Sequence, residues 1–468
     1  MKTVFPPSRM EKITLKKNDW IEMEDGNEWI RAQIINREKV HGKYYNYFNV
    51  VGEDGLKRNV DLERARFMKV PESEEVNMVL IPMEEQQSEE CRKAKLVELK
   101  KLEDFQSFKV VEDKGQFRIS CRWVLWKKEE ETRARLVARG FEEDTEVPSD
   151  SPTVDKANLR VILTVAASEG WIIETSDVKS AFLQGKMLDR KVTIIPPKEA
   201  GVPKGKLWQL QVALYGLDDA SLQFFLKCKE VLLKLGCVQS TFDPAMFMKY
   251  DSDSRLIGII ATHVDDFIHA GNEAFRTNVT KKLAEIFKMG KTESRKFKYV
   301  GYEVEQFKEG IKISQREYAD KVEIPEMNPA RLKFQEDELT PEEKSLIRQL
   351  AGQIGWLARE TRPDLSFAQV EMSTKFGKGK VKDLVRAVKT MARVKQNDSL
   401  LTISALGPVE DWNVEVSTDA SLSNLNDGVH STGAYMILIK NQAGKCAPIS
   451  WRSGKIRRIV DSTLECEC

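Results

Sequence analysis

Two runs in this chain place carboxylates where strands should end. Residues 171–177, WIIETSD, read as a strand closing on Asp177; residues 256–271, LIGIIATHVDDFIHAG, read as an apolar strand, a turn at Asp265-Asp266 and a second short strand closed by Gly271. A hairpin carrying two adjacent aspartates beside a strand that ends in a third could present a carboxylate cluster. Adjacent aspartates in an apolar hairpin repel one another when dry, and a bound cation is the natural compensation. Such a cluster suits phosphoryl or nucleotidyl transfer, which needs two divalent ions roughly 3.5–4 Å apart to activate the attacking oxygen and stabilise the leaving one. Magnesium prefers carboxylate oxygens and keeps waters and substrate phosphates as its other ligands. On residue types alone a solvated turn is the simpler account, because Asp-Asp pairs are common in turns.

A second chemical signal lies in TRARLVARGF, residues 132–141, where Arg133, Arg135 and Arg139 alternate with apolar Leu136 and Ala138. A charge run at period two is usually the solvated face of a strand. Three arginines within seven residues also suit phosphate, whose geometry the guanidinium fork matches.

The elements around these residues follow from hydrophobic spacing. Short β-type runs with turn signals fill residues 1–70 and predict a small β-barrel, in which Trp20, Trp29, Tyr44, Tyr45, Tyr47 and Phe48 are barrel core or edge, or an aromatic cage. Residues 71–90 are acidic and irregular and suit a linker. CRKAKLVELKKLEDF predicts a helix with Leu96, Leu99 and Leu102 on one face, followed by strands FKVVED and RISCRWVLWKK. Further helices are expected over 157–168, 221–236 (Leu222, Phe225, Leu232 and Leu235 inward) and 273–289, the last burying Phe275, Val279, Leu283 and Ile286. Beyond Met327 the pattern turns helical. Thr340-Pro341-Glu342-Glu343 forms a capping box ahead of Leu346, Leu350, Ile354 and Leu357, and VKDLVRAVKTMARVKQ turns Leu384, Val388 and Met391 inward. Strands return in WNVEVSTDAS, GAYMILIKNQAG and APISWRS.

Composition sets the outer limits. A length of 468 residues implies about three domains, and 41% hydrophobic with 31% charged residues excludes wholesale disorder. The 74 lysines and arginines balance 73 acids, so net charge identifies no nucleic-acid partner. Seven cysteines without a CxxC pair, and four histidines, argue for reduced thiols and against a zinc cluster; Cys466 and Cys468 are too sparse for a ligand set. No apolar stretch of about 18 residues appears and the N-terminus lacks a signal-peptide core, so no membrane partner is expected.

Several strings, in order, resemble the reverse transcriptases of copia-type retrotransposon Pol polyproteins over residues 91–468. RWVLWKKEEETRARLVARGF is similar to that family's arginine-rich fingers signature, SDVKSAFLQG to its first palm motif, LYGLDDASLQFF to its second and THVDDFIHAG to its third, where His263 replaces the usual tyrosine. ISQREYADKV, TRPDLSFA and ISWRSGKIRRIVDSTLECE follow later landmarks. The resemblance implies an α+β right-hand polymerase fold of fingers, palm and thumb, preceded by the small β-barrel and followed by a truncated ribonuclease H-like α/β domain. Its divisions are a barrel over 1–70 similar to a region after the integrase core, a linker over 71–90, fingers and palm over 91–310, a helical thumb or connection over 311–400, and a partial ribonuclease H-like unit over 401–468.

The same resemblance implies an RNA-directed DNA polymerase. Asp177, Asp265 and Asp266 would be its catalytic metal ligands, with the carbonyl of Val178 assisting and two Mg2+ ions, for which Mn2+ substitutes. Phe182 falls at an aromatic gate against the 2′-hydroxyl, or is an ordinary core ring. Arg133, Arg135 and Arg139 are the candidates for the incoming triphosphate, and His263, Tyr215 and Gly216 for primer and template. Implied partners are an RNA template, a DNA primer or template and deoxynucleoside triphosphates; the implied location is cytoplasmic, in a virus-like particle, or nuclear. Asp419 with Glu465 or Glu467 resembles the first ribonuclease H carboxylates. The other acids of that site are expected beyond the given residues, so ribonuclease H activity is expected to be absent or severely impaired. Asp218-Asp219 and Ser221-Leu222 stand where the family has Lys-Gln and Pro-Arg, which sets negative charge where a polyanion should approach. With His263, these departures leave open a catalytically decayed relic that binds nucleic acid without turnover.

Overall fold

The computed structural model describes residues 20–25, 28–40, 43–52, 57–61, 65–67, 79–128, 131–144, 147–397, 399–425, 430–456, 460 and 462. The chain divides into two compact units, each discontinuous in sequence: Met1–Ser151 with Ser180–Lys227, and Pro152–Lys179 with Cys228–Cys468.

In the first unit the N-terminal strands form an open sheet rather than a barrel. Its order is Lys57–Asp61, Lys43–Gly52, Glu28–Val40, Trp20–Asp25, Ala65–Phe67, all antiparallel. The outer strands, Lys57–Asp61 and Ala65–Phe67, are not paired with each other, so the sheet does not close. The side chains of Trp20, Trp29, Tyr44, Tyr45, Tyr47 and Phe48 lie outside the described residues. Residues 71–78 of the expected linker also lie outside them, but Val79–Leu80 pairs with the strand Cys121–Lys128, and a helix begins at Glu89.

That helix, Glu89–Asp104, is capped by Ser88, whose hydroxyl accepts from the Cys91 amide at 3.3 Å. It buries Cys91, Ala94, Leu99 and Leu102, whereas Leu96, expected on the same face, is 47% exposed. Leu99 and Leu102 enter a core with Leu136, Ala138, Leu183, Ile194, Trp208, Leu210, Leu214 and Leu217. The hairpin Cys121–Lys128 with Glu131–Ala138 supplies Leu136 and Ala138, and the small sheet of Thr193–Ile194, Lys206–Leu210 and Phe108–Glu112 supplies Trp208 and Leu210.

The second unit is organised on a six-stranded antiparallel sheet. Its order is Val238–Gln239, Met246–Tyr250, Leu256–His263, Asp266–Gly271, Ile173–Val178, Met289–Ser294. The helix Lys156–Ser168 lays Leu159, Ile162, Leu163 and Ala166 into one core with Ile173, Ile259, Ala261, Ile268 and Ala270 of that sheet. A four-stranded sheet adds Phe297, Val304, Ile313 and Ile403 to the same core. The expected 273–289 helix is helical over Glu273–Ile286 but winds as a π-helix across Arg276–Thr280. Each turn there takes an extra residue, so Phe275, Val279, Leu283 and Phe287 are buried while Ile286 is 49% exposed.

The helix Pro341–Glu360 has the expected capping box, with Thr340 and Glu343 bonding each other's backbone, and buries Ile347, Leu350, Ile354 and Leu357. It packs with Val381–Gln396, which buries Leu384 and Met391. No helix among the described residues is long and apolar enough to cross a membrane. The last described strands, Asn413–Ser421, Thr432–Lys440 and Cys446–Lys455, form an antiparallel meander.

One buried cation ties three of these elements together. Arg160 donates to the carbonyls of Ile449 at 2.9 Å, Arg359 at 3.0 Å and Glu360 at 2.8 Å, and its guanidinium lies 3.9 Å from the Trp451 ring centre. The fully buried Glu360 carboxylate accepts from Tyr302 and Lys156. Burial lowers the Arg160 pKa from its usual value, against the raising influence of Tyr302 and Glu360. Arg160→Met should therefore cost on the order of 3 kcal/mol, since it orphans buried carbonyls and leaves Glu360 less compensated; urea unfolding of the second unit's signal measures this.

Candidate active site

The three aspartates all lie in the second unit, on neighbouring strands. Asp177 stands opposite Asp266 in the ladder joining Ile173–Val178 to Asp266–Gly271, and Asp266 stands opposite His263 across the hairpin. The Val178 amide donates to the carbonyl of Asp265 at 3.1 Å. Backbone pairing thus brings together the acidic residues expected from sequence, each half-buried. The two loop residues of the hairpin are Val264 and Asp265. Val264 has φ +57°, a left-handed conformation that β-branched residues rarely adopt and that costs about 1–3 kcal/mol. The buried strand residues Ile257, Ile259, Ile260, Phe267 and Ile268 on both arms hold it there.

On its other side the Asp177 strand meets an irregular ladder. Ser176 pairs with Thr292 and Val178 with Met289, so two residues of the outer strand face the single Asp177. A bulge of this kind re-aims side chains. The Asp177 carboxylate lies over Gly290, where a Cβ would stand 2.1 Å from Oδ2. Gly290 is a residue the sequence reading missed. A lone glycine in KMGKT carries no signal, and its role exists only once the bulge places it beside Asp177.

Behind the aspartates, on the alternate face of the strand, runs a buried polar row. Ser176 Oγ lies 3.1 Å from His269 Nε2 and 3.1 Å from Thr292 Oγ1. His269 Nδ1 is 3.8 Å from Glu174, which Arg276 pairs at 3.1 Å. Burial first, and then the Arg276 charge, pull the His269 pKa down to about 4, so the imidazole is neutral. Burial raises the Glu174 pKa, and Arg276 partly offsets this. The Tyr299 and His263 rings meet at a steep angle, centroids 6.5 Å apart; burial, then the charge of Asp266, raise the Tyr299 phenol well above the usual range.

Among the described residues no three His, Cys, Asp or Glu side chains converge closely enough to cage a metal ion. Asp177, Asp265 and Asp266 nevertheless offer the all-oxygen donors that hard divalent cations take, and the Gly290 hollow leaves the Asp177 carboxylate room. In kind, the residues fit such an ion.

The first unit separates its three arginines. Arg133 is exposed and paired with Glu131 on its own strand at 2.7 Å. Arg135 lies 4.2 Å from the Tyr215 ring centre and 5.5 Å from that of Trp126. Arg139 donates to Ser120 Oγ at 3.2 Å and approaches Glu142 at 3.8 Å. Phe182 is half-buried and tilts against Tyr215, ring centres 4.9 Å apart. Gly216, at φ +96°, is pressed on the arginine strand. A Cβ there would stand 2.1 Å from the Ala138 carbonyl, and the Ala138 amide donates to Tyr215 at 2.7 Å.

The expected clash at Asp218-Asp219 is corrected for Asp219. That residue is 1% exposed and accepts two bonds from Arg190, at 2.7 and 3.1 Å, while Arg190 also pairs with Glu143. Burial opposes the Arg190 charge, but hydrogen bonds to Glu143 and Asp219 outweigh it and hold the guanidinium charged. The Asp219 charge is thus neutralised inside the unit; of the pair only Asp218 is exposed. Asp419 sits exposed on Asn413–Ser421 opposite Ala434. Glu465 and Glu467 lie outside the described residues.

Residues 105–331 match the family described as reverse transcriptase (RNA-dependent DNA polymerase), and the chain carries a domain of that family. Its relatives place it among copia-type retrotransposon Pol proteins. It is 27% identical over 374 residues to the retrovirus-related Pol polyprotein from transposon RE2 of Arabidopsis thaliana, covering 75% of this chain and 25% of that one. It is 27% identical over 373 residues to that from transposon RE1 of the same plant, with the same shares, and 26% identical over 409 residues to that from transposon TNT 1-94 of Nicotiana tabacum, covering 80% and 30%. The chain thus spans about a quarter of the length of the RE1 and RE2 relatives.

Arg190→Met would remove the cation that the buried Asp219 and the half-buried Glu143 share, leaving Asp219, among the described residues, only its bond from Gln223. It should destabilise the protein by about 3–5 kcal/mol, read by chemical denaturation, and the double change with Asp219→Asn should recover part of that loss.

Proposed function

We propose that this chain extends a DNA primer on an RNA or DNA template by nucleotidyl transfer, with Asp177, Asp265 and Asp266 as its catalytic carboxylates. The observation that carries the reading is the register that sets Asp177 opposite Asp266, with Val178 bonded to Asp265. Two Mg2+ ions held by these carboxylates and the Val178 carbonyl would supply activation of the primer 3′-hydroxyl and neutralisation of phosphate charge. The chain's own residues orient the carboxylates. The ladder fixes Asp177 against the hairpin, and the Gly290 hollow sets its rotamer.

On this reading the six-stranded sheet is the palm, the hairpin of 121–138 belongs to the fingers, the helices Pro341–Glu360 and Val381–Gln396 make the thumb or connection, and the last three strands are ribonuclease H-like. Of the three candidate arginines for a triphosphate, Arg135 stacks on Tyr215, whereas Arg133 and Arg139 already face carboxylates of their own, which favours Arg135 for that role. Phe182, braced by Tyr215, is the ring that would bar a 2′-hydroxyl. His263 would take the role of the usual phenol toward primer and template. The internal pairing of Asp219 removes part of the case for a decayed, binding-only relic.

Primer extension on an RNA template with Mg2+ tests the proposal. Extension that disappears in Asp265→Asn, with template binding retained, is the expected outcome; template binding by the unaltered protein with no extension would establish the relic instead. Gly290→Ala, which must push the Asp177 carboxylate aside, should lower the extension rate at least about tenfold while leaving the urea midpoint nearly unchanged.

A further inference from the structure

On the side away from the hairpin, the strand of Asp177 is less regularly secured. Beside it the ladder to Met289–Ser294 slips by one residue, so regular backbone bonds that would fix a strand's register are interrupted at the position that must be held most closely. Next to Asp177, the Ser176 hydroxyl is 2% exposed and reaches a side chain on each flanking strand, His269 Nε2 on Asp266–Gly271 and Thr292 Oγ1 on Met289–Ser294, both at 3.1 Å. A serine hydroxyl has one proton and two lone pairs. That inventory lets the one oxygen meet both partners at once and bridge three strands.

We propose that Ser176, clamped between His269 and Thr292, is a positioning residue that ties the Asp177 strand to both neighbours where the outer ladder is interrupted, and so steadies Asp177 beside Asp265 and Asp266 for divalent-ion binding. This rests on the carboxylate reading above. The contacts are specific to the place. Ser176 and Asp177 alternate across the sheet, so the clamp acts from the face opposite the carboxylates, without touching substrate or ion. Glu174 and Arg276 continue the same row on the His269 side.

The test uses the full chain, with Mn2+ alone as the probe. Thr292→Val keeps the side chain's shape and removes the hydroxyl, whereas Thr292→Ser keeps the hydroxyl; Ser176→Ala removes the centre of the clamp. Amide exchange at Val178, whose N–H bonds Asp265, should quicken about tenfold in Thr292→Val and Ser176→Ala, the worth of one hydrogen bond. Mn2+ affinity by calorimetry should fall by a similar factor, and Thr292→Ser should behave as the unaltered protein. Where the unaltered protein binds Mn2+, equal binding or unchanged exchange in Thr292→Val overturns the clamp, as does a Thr292→Ser variant as impaired as valine. Absence of Mn2+ binding in the unaltered protein, or Mn2+ binding untouched by Asp177→Asn, overturns the carboxylate reading and the clamp's purpose with it, whatever the exchange shows. If Ser176→Ala does not fold, the Thr292 pair alone decides.

Discussion

The antiparallel pairing of Ile173–Val178 with Asp266–Gly271 is the constraint on which the site depends. Side chains alternate along a strand, so a slip of one residue would send Asp177 to the other face and Ser176 into its place. The core prevents that slip. Ile173, Ile268, Ala270, Ile259 and Ala261 share one apolar cluster with the helix Lys156–Ser168, and any other register would push buried aliphatic groups toward the polar row of Glu174, Ser176 and His269. The hydrophobic term that forms the sheet is therefore also the term that aligns its acids. The strained turn at Val264 is tolerable for the same reason, since both of its arms are buried.

Charge is handled in the two units by a common device. Arg160 in one is buried and Arg190 in the other partly so, and each directs its donors to several acceptors rather than to one partner. A cation removed from water needs that degree of compensation. Near the aspartates, the Tyr299 hydroxyl and His269 Nδ1 are among the buried polar atoms with no hydrogen-bond partner.

Local signals were legible in the sequence where they needed no partner. The Asp-Asp hairpin, the strand ending at Asp177 and the Thr340–Glu343 box each announce themselves within a few residues. What could not be read depends on distant pieces. Arg190 is 29 residues from Asp219, so an aspartate that looks like a surface charge is an internal ion. The π-helical turn over Arg276–Thr280 exchanges Ile286 for Phe287 in the core, because no 3.6-residue template anticipates an added residue. Barrel closure fails in prediction for a related reason, since strand propensity does not say whether the two outer strands find each other. Gly290 acquires meaning from a bulge, and only pairing shows a bulge.

The discontinuity of the units carries a consequence for how the protein is made. The chain leaves the second unit just after Lys179 and returns at Cys228, and the contact between Ser176 and His269 spans 93 residues. On a ribosome, the strand that bears Asp177 emerges long before the hairpin that must pair with it, and through that interval its ladder groups face solvent with nothing native to receive them. Closing so long a loop is slow, and a bare strand edge invites neighbours.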